Sequence, residues 1–408
     1  MGEWNRRSVM VSSAALATGT ALAAAGTSSA NESPDAPAAP DLSEPNGWSS
    51  HGGTIGNCRH VPSSAGLERP DGVAWQYDRS GPAAVVGGAV YLQADGEIHS
   101  LDAADGSRRW TADAIDAAGT PAVADDGVYV AGDGLAALEA ETGEVRWIEA
   151  FDGAESVSSP VVAFETVYVS VDGVFRAHDA TDGSLRWEHE AVEVEVESEA
   201  SRVAYGFHSR SGTVAVADGT VWALLDRRQA ESGGGSDGIA ALDPTTGEVL
   251  WTGPLESGRT ASGLAVTEDA LFVETPSEEG IVVFDVASRE IVDTVSDAFD
   301  SAAVGETAVT HGRYTLSSTG ADAPWNDRET HAYGKPTIVG DLVVVAHSRR
   351  GRSSPDEIVG FDLEDGSERW TFAFDDSHWS DGFPIDAVVD GETIYVDRDG
   401  QFTAVRSS

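Results

Sequence analysis

One pattern recurs along this chain and ends each time in tryptophan, and it constrains the fold more than any other feature. Val90–Trp110 reads VYLQADGEIHSLDAADGSRRW, Val128–Trp147 reads VYVAGDGLAALEAETGEVRW and Val167–Trp187 reads VYVSVDGVFRAHDATDGSLRW. The second half of the unit returns as IAALDPTTGEVLW in Ile239–Trp251 and as IVGFDLEDGSERW in Ile358–Trp370. Apolar and polar residues alternate at period 2 between Asp-Gly or Thr-Gly turns, which is the signature of short antiparallel strands. Trp75, Trp110, Trp147, Trp187, Trp251 and Trp370 are 35, 37, 40, 64 and 119 residues apart. A period near 39 explains the first three gaps. The fourth gap is one repeat with an insertion of about 25 residues, and the last is three repeats whose tryptophan is replaced near Ile291 and near His331. Ala302–Thr330 then supplies the least regular repeat. Val73–Tyr77 is a fourth strand with no partners before it, and Ile385–Val405 holds three strands with no fourth. The two ends therefore complete one blade and remove the open edges of the sheet array. The expected fold is an all-β, eight-bladed propeller of four-stranded antiparallel blades, with seven blades as the alternative because the sixth repeat is degenerate.

The tails Ala103–Trp110, Ala140–Trp147 and Ala180–Trp187 resemble, in looser form, the tryptophan-docking motif of PQQ-like (quinoprotein-type) repeats. The resemblance covers about residues 73–408 and implies that each tryptophan packs between neighbouring blades. An indole suits that place, since it buries a large apolar area and needs one partner for its N–H. The same repeat serves dehydrogenases carrying pyrroloquinoline quinone and Ca2+, and non-catalytic proteins such as the outer-membrane assembly factor BamB, so it implies a fold and not a chemistry.

Charge bounds the environment. The chain has 69 acidic against 25 basic residues, a net charge of -44, and Lys335 is its only lysine. The acids are spread evenly and would repel one another in dilute buffer, whereas molar salt shortens the screening length to about 3 Å. Acid excess with lysine depletion reads as the surface of a halophilic, haloarchaeal-type protein. No basic stripe exists to neutralise phosphates, so nucleic acid is excluded as a partner. Asn5-Arg6-Arg7-Ser8-Val9-Met10 precedes a weakly apolar stretch and the small residues Ser28-Ser29-Ala30, which resembles a twin-arginine (Tat) signal peptide. The expected organisation is a signal peptide over 1–30, a flexible acidic, Pro/Ala-rich spacer over 31–70 and the propeller over 71–408. The mature chain has no transmembrane segment, is monomeric, and is secreted or held at the cell surface.

Candidate chemistry is thin. Cys58 is the only cysteine, so neither a Cys zinc site nor the vicinal disulfide of the alcohol-dehydrogenase branch can form. His51, His60, His99, His178, His189, His311, His331 and His378 show no metal spacing and read as exposed or strand-edge residues. Asparagines are scarce beyond residue 47 (Asn57 and Asn326), which thins a Glu/Asn/Asp calcium set. No phosphate-binding lysine motif or nucleophile elbow appears. Asp95-Gly96, Asp172-Gly173 and Asp399-Gly400 read as hairpin turns rather than calcium loops. The expectation is no catalytic residue, no metal and no cofactor; PQQ with Ca2+ enters only under the alternative, a dehydrogenase of alcohols or aldoses.

Strand order does place a binding face. Turns one-to-two and three-to-four of each blade are short and share one face. The long segments Glu190–Gly212, Asp226–Gly238, Asp322–Gly334 and His347–Glu357 fall on the other. That loop-rich face concentrates Arg202, Arg210, Arg227, Arg228, Arg349, Arg350 and Arg352, with Trp325, Tyr205 and Phe207 as apolar anchors. Arginines in a chain this acidic would receive a protein or an anionic glycan at the cell surface.

Overall fold

The computed structural model describes residues 47–62, 66–196, 201–227, 236–255, 259–275, 280–312, 315–319, 331–349, 357–374, 387–398 and 400–407. Its strands form eight small antiparallel sheets arranged as an eight-bladed propeller, which removes the seven-bladed alternative. Blade 1 shows the plan: Ala83–Val86 innermost, then Ala89–Ala94, Glu97–Asp102 and Arg108–Ala112 outermost. Blade 8 is Ala387–Asp390, Thr393–Arg398 and Gln401–Arg406, and its outer strand is Gly72–Tyr77 from the other end of the chain. Blade 6 has three strands among the described residues, Asp300–Val304, Thr307–His311 and Leu316–Ser318.

The expected period-2 alternation is confined to exposed elements. Thr166–Val171 is buried at every position and Ala89–Ala94 at all but one, because both faces of a middle strand lie against neighbouring blades. Outer strands such as Arg108–Ala112 have no fully buried residue. A second difference concerns Glu190–Gly212, which is not a loop throughout. Val192–Val196 pairs antiparallel with Ser201–Phe207, and Val192, Val194 and Val196 are buried while Glu193 and Glu195 are exposed.

The tryptophans lock one blade to the next. Trp75 of blade 8 donates its indole N–H to Ala103 O of blade 1 at 3.0 Å. Trp110 donates to Ala140 O (3.1 Å), Trp147 to Ala180 O (3.0 Å) and Trp187 to Pro244 O (3.2 Å), each in the following blade. Under each indole lies the glycine of the three-to-four turn. Gly106, Gly143, Gly183 and Gly247 have φ of 72–75°, and a Cβ there would meet the preceding blade's indole at 2.6 Å. Glycine is thus required twice, for the left-handed backbone and for the ring above it.

Residues 47–62, which the sequence alone places in a flexible spacer, instead fill the axis. Gly47–Trp48 pairs antiparallel with the inner strand of blade 1, and His60–Val61 pairs parallel with Thr337–Val339 of blade 7. Between them, Ser49 O accepts from Val123 N (blade 2), Ile55 O from Val216 N (blade 4), Gly56 O from Val266 N (blade 5), Cys58 O from Ala303 N (blade 6) and Arg59 O from Ile338 N. Trp48, Ile55, Cys58 and Arg59 are buried. A linker-like run of Gly and Ser fits here because small residues let backbone lie directly against the inner strands.

Candidate functional site

Each inner strand begins on the loop-rich face and ends on the short-turn face, so the axis has two mouths. At the loop-rich mouth the axial segment turns through Ser50–Gly53 and presents His51, Asn57 and Arg59 to the residues that open blades 4 to 7. Ser211, Gly212, Ser262, Gly263, Glu274, Asp300, Ser301 and Lys335 complete the lining of a cavity of about 180 Å³. Asn57 and Arg59 hold positive φ (56° and 48°), an uncommon backbone for non-glycine residues that clusters at functional sites.

Charge is concentrated here. Lys335 Nζ lies 3.0 Å from Asp300 Oδ1, and His311 Nε2 lies 2.9 Å from Asp300 Oδ2. Ser301 N–H donates to Glu274 Oε1 at 3.1 Å. Burial alone would raise the Asp300 carboxyl, but the His311 hydrogen bond and the Lys335 ammonium outweigh it and hold that carboxyl well below the usual carboxylate range. Glu274 is the opposite case. Burial first, then the like charge of Asp300, push its carboxyl up to about 8, so it is largely protonated at neutral pH, although the cavity leaves the residue partly accessible. Arg59 donates to Pro336 O (2.8 Å), Thr337 Oγ1 (3.3 Å) and Ala387 O (3.3 Å) and lies 5.0 Å from the Trp48 ring. Asn57 Nδ2 donates to Val214 O (2.9 Å) and Leu264 O (3.1 Å).

The arginines chosen from the sequence lie in part on the same face, away from the axis. Arg202 is exposed on the extra hairpin, 3.8 Å from Glu193. Arg210 is exposed and lines an open cleft of about 640 Å³ with Glu155, Asp172, Phe207, His208, Ser209 and Asp226. The Arg227 guanidinium sits 5.9 Å from the Tyr205 ring centre. Arg349 ends the strand Leu342–Arg349, opposite His331. Arg228, Arg350, Arg352 and Trp325 lie outside the described residues. Tyr205 and Phe207 are not surface anchors: alternation along Ser201–Phe207 turns both inward, and Phe207 stacks on Phe175 of blade 3 with ring centres 5.1 Å apart. The histidine expectation also changes, since His99, His178 and His311 are buried. The turn reading of Asp95-Gly96 and Asp172-Gly173 agrees with the backbone, where all four φ values are positive.

Sequence reasoning missed Glu274, Asp300 and the role of Asn57, because they come from different blades and from a segment that resembles a spacer. Lys335, the one lysine, was the available signal. Among the described residues no group of three or more His, Cys, Asp or Glu side chains is arranged to hold a metal ion, and no helix is long and apolar enough to cross a membrane. A quinone of the kind the repeat implies is planar and needs a slot with a ring to stack on. The axial mouth has no Trp, Tyr or Phe in its described lining and the axis below it is filled by polypeptide, so these residues do not fit that cofactor.

An eight-bladed ring with interblade tryptophan docking defines the class of PQQ-like propellers. Residues 94–372 match the profile of the PQQ-like family described as outer membrane protein assembly factor BamB; the match spans well over half of the sequence, and the chain belongs to that family. Among solved structures it is similar to the quinohemoprotein alcohol dehydrogenase from Comamonas testosteroni (14% identity, TM-score 0.60, covering 88% of this chain and 80% of that one). It is also similar to BamB from Moraxella catarrhalis (16% identity, TM-score 0.51, covering 81% and 97%) and to the computationally designed Ika8 protein (15% identity, TM-score 0.59, covering 82% and 99%). No curated protein matches it in sequence. At these identities the structural likeness establishes the fold alone.

Proposed function

We propose that this protein is a non-catalytic, extracytoplasmic propeller that binds a protein or an anionic glycan at the cell surface through its loop-rich face. The observation that carries the reading is the filled axis: the chain's own residues 47–61 bond to inner strands around the ring, and among the described residues an off-axis cleft at the boundary of blades 3 and 4 lies open beside the exposed cation Arg210. Arg210 lines it, Arg202 is exposed on the adjoining strand Ser201–Phe207, and half-buried Arg227 lies against Tyr205 of that strand, while Glu155, Asp172 and Asp226 in the lining add acceptors for a partner's donors. With a net charge of -44 the whole protein repels anions at long range, but in molar salt contacts beyond about 3 Å are screened and local arginine geometry decides. Twin-arginine export, a halophilic setting and a monomeric state belong to the same reading.

The test is equilibrium binding of the purified chain in molar KCl to a sulfated glycan and to an acidic polypeptide, repeated with Arg202, Arg210 and Arg227 replaced by Ser. Saturable binding lost in the triple variant, with an unchanged melting temperature, is expected. Binding that the triple variant retains would remove this face as the site. Dye-linked oxidation of an alcohol that requires added pyrroloquinoline quinone and Ca2+ would overturn the reading altogether.

A further inference from the structure

Two buried polar atoms at the axial mouth have no hydrogen-bond partner: Asn57 Oδ1, in a residue 6% exposed, and Ser301 Oγ, in one 1% exposed. Both residues line the same cavity of about 180 Å³. Leaving such atoms unpaired costs about 1–3 kcal/mol each, so they mark places where a guest's polar groups belong. The remaining lining is polarised by blade order. Acceptors stand on the side of blades 4 and 5, where Asn57 is fixed by the carbonyls of Val214 and Leu264 and the second Glu274 oxygen faces Gly263. Cations stand on the side of blade 7, where Lys335 precedes the inner strand Thr337–Val339 and Arg59 is fixed by Pro336 and Thr337. Ser301 lies between, on blade 6.

We propose that the axial mouth binds a small zwitterion, such as a free α-amino acid, with its ammonium against Asn57 Oδ1 and Glu274 and its carboxylate against Lys335 and Ser301. Two fixed cations in the lining disfavour a bare metal ion, and a ligand carrying only one charge would satisfy one side and leave the other unmatched. The volume admits a compact amino acid. The groups facing Glu274 are Asp300, Lys335 and Arg59, with His51 across the cavity. Its carboxyl is pushed up to about 8 in the free protein, and an ammonium beside it favours the ionised form, so uptake of the ligand releases a proton. The site is separate from the arginine cleft and does not depend on what binds there.

Isothermal titration of the full chain in molar KCl with glycine and L-alanine tests this, with methylammonium, acetate and glucose as comparison ligands. Both amino acids should bind at least tenfold more tightly than methylammonium or acetate, and glucose should not compete. Buffers of different ionisation enthalpy should reveal proton release at pH 7. Glu274→Gln keeps the shape and neutrality of the protonated acid, so the ring should remain folded while affinity falls at least tenfold, about 1.4 kcal/mol. Ser301→Ala should weaken binding several-fold without lowering the melting temperature, since it removes an unpaired buried hydroxyl. The proposal is overturned by absence of saturable amino-acid binding up to about 10 mM, by equal binding in Glu274→Gln, or by preference for glucose.

Discussion

Gly106, Gly143, Gly183 and Gly247 are the residues on which the repeat turns, because each lies directly beneath an indole of the preceding blade. Gly143→Ala combines a positive φ with a ring at 2.6 Å, so it should destabilise the protein by about 2 kcal/mol or more in denaturant titration at fixed salt. The residue before the docking tryptophan works locally too. Arg109 pairs with Asp102, Arg146 with Glu139, Arg186 with Asp179 and Arg369 with Asp362, closing the three-to-four turn in four blades. Hydrogen bonds from these arginines hold Asp102, Asp179 and Asp362 below the usual carboxylate range. Their stabilisation is present above the unfolded value near pH 4 and is lost as pH falls through the lower folded values. Glu274 has the opposite sign: its folded carboxyl titrates at about 8, so its contribution is full below about pH 4 and is lost as pH rises toward 8. Denaturant midpoints from pH 5 to 9 should therefore show the wild type losing stability relative to Glu274→Gln as pH rises. A constant difference would place that carboxyl in the ordinary range. The repeating arginines were legible in the sequence as part of the motif, whereas Glu274 was one acid among 69.

At the scale of the element, blades 4 and 5 depart from the clasp. Leu250 and Val292 stand where blades 1, 2, 3 and 7 carry arginine, and both are exposed, together with Val249 and Ile291 on the same two outer strands. Asp243 and Asp285 of those turns are held low by the backbone and hydroxyls of Thr246 and Ser288, not by a guanidinium. Leu250→Arg should restore a clasp to Asp243. Because that pair is solvent-exposed, the expected gain is at most about 1 kcal/mol at low salt and close to nothing at molar salt, read as the shift in denaturation midpoint. The strand pair Val192–Val196 and Ser201–Phe207 shows what sequence could have given and did not. VEVEV carries a clean period of 2, but Glu190–Gly212 exceeds the repeat length, and spacing alone predicts a loop there. Its buried valines belong to the same core as Tyr205 and Phe207, which removed those two rings from the surface.

For the whole molecule, docking and axial segment divide the ring between them. Tryptophan docking runs unbroken from blade 8 through blade 4 and then lapses. Arg289 occupies the glycine position beneath Trp251, with φ of 62°, and Asp293 occupies the tryptophan position of blade 5. Trp370 faces blade 8, whose three-to-four turn does not exist because the chain ends meet there, and its indole N–H is buried without a partner. The carbonyls of Ile55, Gly56, Cys58, Arg59 and Val61 bond to blades 4, 5, 6 and 7, a span that includes the blades where docking lapses, while Gly47–Ser49 bond to blades 1 and 2. Arg59→Ala strips donors from three carbonyl or hydroxyl acceptors and should cost about 3 kcal/mol or more. In hydrogen exchange its effect should appear first in blades 5 to 7 and least in blades 1 to 3; uniform loss of protection would contradict this division of labour. Salt should stabilise the entire ring, with a midpoint that rises toward molar KCl as the -44 charge is screened.

Local periodicity determined most of the strands, the turns and the closure by Gly72–Tyr77 and narrowed the blade count to eight or seven, because a repeat writes its own contacts at a fixed spacing and each blade meets only its neighbours. The axial mouth has no such spacing. Asn57, Glu274, Asp300 and Lys335 converge only because a ring brings blades 5, 6 and 7 around a segment from the N-terminal side, and the protonation of Glu274 follows from that convergence and the burial it creates. Tertiary structure alone decided that a Gly- and Ser-rich stretch becomes the centre of the molecule, since its hydrogen-bond partners are inner strands from Val85–Val86 to Ile338, far away in sequence.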